Sequence, residues 1–416
     1  MRVLMVAACW VTALVFGAWA DTAGISDVVV RQRWPWSRLV DIDYVLDCAP
    51  TQRVDVALSA YNDALPLTLD PQSLSGDLYA VAPGARRIVW DPMKSAYTNE
   101  LFTRFRVDLS ATAVPAYLII DLSKSLGEEG QITYRYDWSG NWTDITNHTE
   151  YMTTNLVLRR IPGGTFAMGS PTNEALRATN EDQHNVTLTE SYYLGVFEVT
   201  QWQWAKLMND AYPSFFTNLT CREARPVEWL TYDMIRGKTT AAGWPGGGMT
   251  TGFMKALCDR TGLTCDLPTE AQWERACRAE TTGAYYCTTN AQTGRTSDNN
   301  GGTGYSTDTA SPWRAYDTTR GTARVGSYRA NPWGLYDMYG NVSEWCVDHY
   351  NANLGNAAVT DPVFLSGSGN TRVNRNVAYH VPISVGYMRS ARRTGQDYNS
   401  GYSSLYGFRV MVKNTP

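Results

Sequence analysis

The reading of this chain turns on Asn331-Pro332-Trp333-Gly334-Leu335-Tyr336-Asp337-Met338-Tyr339-Gly340-Asn341-Val342-Ser343-Glu344-Trp345. Two carboxylates, Asp337 and Glu344, flank a Gly-Asn turn. A turn directs backbone carbonyls toward one point, and hard oxygen ligands from side chains and main chain are what Ca²⁺ takes. The same residues also suit a capped turn in which Glu344 is held in a salt bridge.

Further blocks lie on either side. Leu267-Pro268-Thr269-Glu270-Ala271-Gln272-Trp273-Glu274 opens a helix: Thr269 is placed as N-cap and Gln272, three residues on, completes a capping box. Upstream stand Arg225-Pro226-Val227-Glu228-Trp229-Leu230 and Tyr192-Tyr193-Leu194-Gly195-Val196-Phe197-Glu198-Val199-Thr200. The latter runs into a short helix, Gln201 to Met208, with Thr200 as cap. Arg160-Ile161-Pro162-Gly163-Gly164-Thr165-Phe166-Ala167-Met168-Gly169-Ser170 precedes these, and Tyr406-Gly407-Phe408-Arg409-Val410 follows the signature stretch.

One such block is weak evidence, but six in this order resemble the formylglycine-generating, or sulfatase-modifying factor, family. The resemblance implies an α+β, C-type-lectin-like fold with little regular secondary structure over residues 155–416. It also implies a structural Ca²⁺ held by the Asp337 and Glu344 carboxylates and the Gly340 and Val342 carbonyls. The family's other calcium loop corresponds to Thr293–Arg320, which matches poorly and yields no ligands.

Family oxidases hold copper(I) with a cysteine pair, soft thiolates suiting a soft ion. That pair lies between flanks that here read Arg375-Asn376-Val377-Ala378-Tyr379 and Arg389-Ser390-Ala391-Arg392. No cysteine follows Cys346, and Val381 with Val385 or Gly386 stand at the thiol positions. Copper is therefore not expected. The resemblance points to a non-catalytic, lectin-like module binding a protein or carbohydrate ligand. The alternative is a formylglycine-generating oxidoreductase acting on a sulfatase cysteine. Candidate ligand-binding residues are Tyr379, His380, Tyr387 and Tyr398, since Tyr offers rigid amphipathic contact area. Some members of this fold are variable proteins of diversity-generating retroelements. Residues 374–387 contain no Trp, Met, Lys, Glu or Gln, as adenine mutagenesis of Asn codons would require.

Residues 21–122 differ in texture. Val28–Val30, Leu39–Leu46, Val54–Leu58, Arg87–Trp90 and Phe102–Val107 alternate apolar and polar positions between turn clusters such as Ala82-Pro83-Gly84. That is the period of half-buried strands and predicts an all-β immunoglobulin- or fibronectin-like sandwich. Tyr117–Leu122 reads as one more strand, and residues 123–154 as a linker.

The N-terminus reads as a signal peptide, residues 1–20. Arg2 precedes an apolar run from Val3 to Trp19, and Ala18-Trp19-Ala20 fits a cleavage site before Asp21. The run is short for a membrane span, and no later stretch is longer, so a secreted, periplasmic or surface protein without a transmembrane segment is expected. Of the eight cysteines, Cys9 would leave with the signal, and an odd number remains. None forms a CxxC pair, and the four histidines are scattered, so a Cys/His zinc site is not expected. Cys258 and Cys265 are close enough in sequence to close a short loop. With a net charge of −4 and no basic stripe, nucleic acid is not expected as a partner.

Overall fold

The computed structural model describes residues 23–34, 36–98, 100, 102, 104–216, 221–237, 243–287, 294–297, 321–367, 370–382, 387–398 and 403–414. The expected signal peptide, most of the loop at 293–320 and residues 383–386 lie outside the described residues. The chain divides into two compact units. One is built on residues up to Ala116 with Arg135–Gly140 and Pro162–Thr165, and the other on Tyr117–Tyr134, Asn141–Ile161 and Phe166–Pro416.

The first unit carries the strands its alternation predicts. β1 (Gly24–Gln32), β2 (Val40–Asp47), β6 (Gly84–Trp90) and β5 (Leu74–Gly76) form one sheet in that order. β4 (Leu65–Leu67), β3 (Val54–Asn62) and β7 (Phe105–Ala113) form the other. The first order is that of the A, B, E and D strands of an immunoglobulin-type sandwich. Val40, Ile42, Tyr44 and Leu46 on one face of β2 join Val54 and Val56 of β3 and Ile88 and Trp90 of β6 in a single core. Trp90 stacks on Phe105 with ring centroids 5.4 Å apart. On the other face of β2, Asp41 pairs with Arg33 and Asp43 with Arg31 and Arg87. The two-residue period thus separates apolar packing from cross-strand charge.

The second unit is mixed α and β, with short elements. A six-stranded sheet runs β14 (Cys265–Asp266), β20 (Met411–Lys413), β13 (Tyr192–Gly195), β10 (Asn155–Ile161), β8 (Tyr117–Asp121) and β9 (Ile132–Arg135). β18 (Arg393–Asp397), β17 (Thr371–Arg375), β15 (Ser343–His349) and β19 (Tyr406–Gly407) form a second sheet. β11 (Gly164–Met168), β12 (His184–Leu188) and β16 (Val359–Thr360) form a third. The described helices are α1 (Gln201–Leu207), α2 (Tyr232–Arg236), α3 (Phe253–Thr261) and α4 (Glu270–Arg278). Thr200 with Gln203 and Thr269 with Gln272 form reciprocal capping boxes on α1 and α4, satisfying N–H groups that a helix start leaves open. Among the described residues no helix is long and apolar enough to cross a membrane.

The division differs from the sequence reading at the junction. Tyr117–Asp121 was expected to end the sandwich, yet it pairs antiparallel with β10, Ile120 opposite Leu156. The segment expected as a linker contributes β9 and two 3₁₀ turns, with Ile145 and Met152 buried. Isolated buried residues in turns have no period to read. Cys258 Sγ lies 3.4 Å from both the amide N and the carbonyl O of Cys265, and both residues are free thiols.

Candidate functional site

β15 leaves the signature stretch and fixes what surrounds it. β17 runs antiparallel to it, Arg375 opposite Glu344, and β19 runs parallel, Gly407 beside Glu344. The residue after β17, Asn376, and the strand-flanking Arg409 are thereby brought against the turn at 337–344.

Every member of the expected ligand set is buried, but each already has partners. Glu344 accepts from Trp273 Nε1 at 2.7 Å, Arg409 Nε at 2.7 Å and Arg409 Nη2 at 2.6 Å. This is the salt-bridged turn that the sequence offered as the alternative to a metal. The Gly340 and Val342 carbonyls do converge, onto the side-chain amide of Asn376: Nδ2 donates to Gly340 O at 2.7 Å, Val342 O at 2.9 Å and Asp337 O at 3.2 Å. Asp337 Oδ2 accepts from Gly326 N at 2.7 Å, while its Oδ1 is buried without a hydrogen-bond partner. Burial, opposed in part by that amide, pushes the Asp337 carboxyl up to about 7. Glu198 accepts from Val342 N and Asn341 Nδ2, and burial followed by the nearby Asp337 and Glu344 charges raises its pKa well above the ordinary value. Gly340 has φ +78°, and a Cβ there would lie 2.3 Å from Arg295 O, so only glycine fits. Ca²⁺ takes six to eight oxygens. The set leaves one carboxylate oxygen free, that of Asp337 Oδ1, because Arg409 and Trp273 occupy the Glu344 carboxylate and Asn376 occupies both carbonyls. As folded here, the residues do not fit the ion.

The segment beyond Asn376 is anchored at both ends by buried charge. Arg375 bonds Glu270 at 2.9 Å and Glu274 at 2.8 Å, and Arg393 forms a two-pronged pair with Glu270 at 2.7 Å. Burial alone would raise the Glu270 pKa; Arg393 and Arg375 outweigh it and hold the carboxyl at about 2. Arg389 grips Glu181 with both Nη atoms, at 2.6 and 2.7 Å, and Glu174 at 2.7 Å. Residues 374–378 are all buried, so among the described residues of the stretch at 374–387 only those from Tyr379 onward can face a ligand.

Tyr379 begins a row of aromatic rings. It meets Phe216 edge-on at 5.2 Å and His380 at 6.0 Å. Phe216 meets Phe215 at 5.2 Å, and Phe215 stacks on Trp229 at 5.3 Å. Phe215 is 59 % exposed. Beneath the row, Glu228 accepts from the backbone N–H of both Phe215 and Phe216 at 3.0 Å, and burial lifts its carboxyl to about 7. Gly321 makes room for the Phe216 ring, which a Cβ would meet at 2.3 Å. Trp229 adopts φ +68°, a conformation that costs a bulky side chain of order 1–3 kcal/mol and that clusters at functional sites.

Of the four tyrosine and histidine candidates, Tyr379 and His380 stand together in this row. Partial loss of hydration lowers the His380 pKa. Tyr387 lies instead under the Arg392 guanidinium, 4.5 Å from the ring centroid. Tyr398 packs on Tyr232 at 6.2 Å, against the core of the six-stranded sheet. Phe215, Phe216, Trp229 and Glu228 escaped the sequence reading. Glu228 and Trp229 lie within the block Arg225–Leu230, and the adjacent aromatic pair Phe215-Phe216 was the signal that the sequence carried.

Residues 143–414 match the family model described as sulfatase-modifying factor enzyme 1-like domain. The serine/threonine-protein kinase pkn1 of Chlamydia caviae is 31% identical over 202 residues, 46% of this chain and 27% of that protein. The formylglycine-generating enzyme of Mycobacterium tuberculosis is 33% identical over 157 residues, 35% of this chain and 50% of that one. The chain thus spans between about a quarter and a half of the length of these relatives. Among solved structures, PvdO from Pseudomonas aeruginosa superposes with a TM-score of 0.48 at 21% identity, over 62% of this chain and 95% of that one.

Proposed function

The chain belongs to the sulfatase-modifying factor family, and we propose that it serves there as an exported, non-catalytic binding module rather than as an oxidase. The observation that carries this is the row Trp229–Phe215–Phe216–Tyr379–His380, at the start of a segment that has no cysteine. Close-packed rings, with Phe215 stacked on Trp229 and exposed, offer apolar contact at little entropy cost. They suit the apolar face of a sugar ring or a protein side chain. Without thiolates the segment offers copper(I) no soft ligand pair. The pattern from Arg2 to Ala20 supports export.

The test uses the whole protein on a glycan array and on an array of extracellular proteins, with Phe215→Ala and Tyr379→Ala as variants. Retention of whatever is bound is expected to fall roughly tenfold or more in each variant. The melting temperature should hardly change for Phe215→Ala, whose ring is exposed. Binding indifferent to both substitutions would remove the row as the site. Conversion of a cysteine-containing sulfatase peptide to formylglycine in the presence of copper and O₂ would overturn the non-catalytic reading.

A further inference from the structure

The Asn376 side chain has five hydrogen-bond partners, four in the signature turn and one at Val377 N, its two amide hydrogens being shared among three carbonyls. Nδ2 donates to the carbonyls of Asp337, Gly340 and Val342, while Oδ1 accepts from Gly340 N and Val377 N, each at 2.7 Å. The polarity of the amide is fixed by its surroundings. Exchanging its O and N would set an NH₂ against two N–H donors and an oxygen against three carbonyls. The NH₂ group therefore sits, its hydrogens partially positive, where carbonyl oxygens of the turn converge. Convergent carbonyls beside carboxylates are also the arrangement that a hard cation takes.

We propose that the Asn376 carboxamide takes the place of a calcium ion in this domain, closing the turn at 337–344 without metal. Three buried carboxylates, Glu198, Asp337 and Glu344, face this region with one guanidinium, Arg409, among them. A full positive charge at the centre would suit them better than an amide. The amide instead satisfies the carbonyls by hydrogen bonding, and it depends on no ion in the surroundings. The backbone supports the substitution: Asn376 has φ +69°, a region that glycine enters freely and Asn or Asp more readily than other side chains. A residue that tolerates this backbone and carries two donors and an acceptor on a short stem is asparagine.

The inference has a sharp consequence. Asn376→Asp keeps size and backbone but replaces the donors by a second hard oxygen. Without metal it sets a carboxylate against three carbonyls and adds a fourth buried acid; with Ca²⁺ it completes an oxygen cage. Asn376→Gly keeps the backbone and simply vacates the position. Melting temperatures of the full chain and both variants are measured in EGTA and in excess Ca²⁺. The unsubstituted protein should melt at the same temperature in both. Asn376→Asp should melt lower in EGTA and recover with Ca²⁺ by roughly 3–10 °C, given millimolar-class affinity and a domain of this size. Asn376→Gly should recover in the same direction. Calcium stabilisation of the unsubstituted protein as large as that of Asn376→Asp overturns the proposal, as does failure of Ca²⁺ to rescue either variant, whether by melting temperature or by folding.

Discussion

Replacing Glu344 by Gln tests whether the signature turn is held by a paired charge. Glu344 and Arg409 are both fully buried, and Arg409 contributes two of the three donors on the carboxylate, at 2.7 and 2.6 Å. Glutamine keeps the shape but turns one oxygen into an NH₂ facing donors. Arg409 stays charged at any accessible pH and is left with the remaining glutamine oxygen, the neutral carbonyls of Gly195 at 2.9 Å, Val196 at 3.4 Å and Tyr336 at 3.1 Å, and the more distant Glu198 and Asp337 carboxyls. Two hydrogen bonds between charged groups, at about 1.5–3 kcal/mol each, are weakened or lost. Some relief opposes this, because Glu344 also raises the cost of ionising Glu198 and Asp337. Breaking one side of a buried pair costs about 3–5 kcal/mol, and the relief places Glu344→Gln toward the lower figure. In a domain of this size each kcal/mol moves the melting temperature by about 2–4 °C. Urea unfolding followed by tryptophan fluorescence measures it, since Trp273 bonds the same carboxylate. The double variant Glu344→Met with Arg409→Met should recover much of the loss, because a buried pair exchanged for apolar groups of similar volume is often neutral. A cost below about 1 kcal/mol for the single variant would refute the reasoning, since it would mean that the charge on Arg409 does not depend on Glu344.

Two further outcomes can be checked. The Glu228 carboxyl sits at about 7 in the folded protein against an ordinary 4.5, so the folded state holds a proton that the unfolded chain has released; stability is full below about pH 4.5, falls as pH rises toward 7 and is level above, by up to roughly 3 kcal/mol. Melting curves from pH 5 to 8 should show a shallower fall in Glu228→Gln, with Asp348 and Asp337, both also lifted to about 7 by burial, and the raised Glu198 supplying the remainder; an unchanged slope would exclude Glu228 as a contributor. Asn331 donates to the carbonyls of Ala276 and Cys277 at 2.7 and 3.2 Å and accepts from Trp333 N and Leu335 N at 3.0 Å. Asn331→Ala leaves these buried groups unpaired and should cost about 2–4 kcal/mol by urea denaturation, whereas a loss under about 0.5 kcal/mol would mean that other groups replace the amide.

Much of the fold was legible from local pattern. The alternation in Leu39–Leu46 predicted the buried face of β2, and the caps at Thr200 and Thr269 placed the starts of α1 and α4, because both signals are local in the chain. α2 and α3 carried no comparable start signal with a full box; Gly252 stands at the N-cap of α3 without a side-chain bond. The boundary after the sandwich was misread because Tyr117–Asp121 has the same strand pattern whichever sheet it joins, and only its partner β10 decides. In the candidate site, Tyr379 and His380 were visible as residue types. Their neighbours Phe215, Phe216 and Trp229 lie at least 150 positions away in the sequence and meet them only through the fold.

The signature stretch shows the same division. By itself the sequence determined that two acids flank a Gly-Asn turn, that the six blocks stand in the family's order, and that no cysteine follows Cys346. Those are properties of residue type and spacing. Whether the acids and carbonyls hold an ion or hold one another depends on what arrives from other strands. β17 delivers the Asn376 amide to the convergence of carbonyls, and the strand-flanking Arg409 reaches the Glu344 carboxylate. Hydrogen bonds and ion pairs of this kind act over about 3 Å between residues tens of positions apart, so tertiary structure alone could decide between the two readings of the turn.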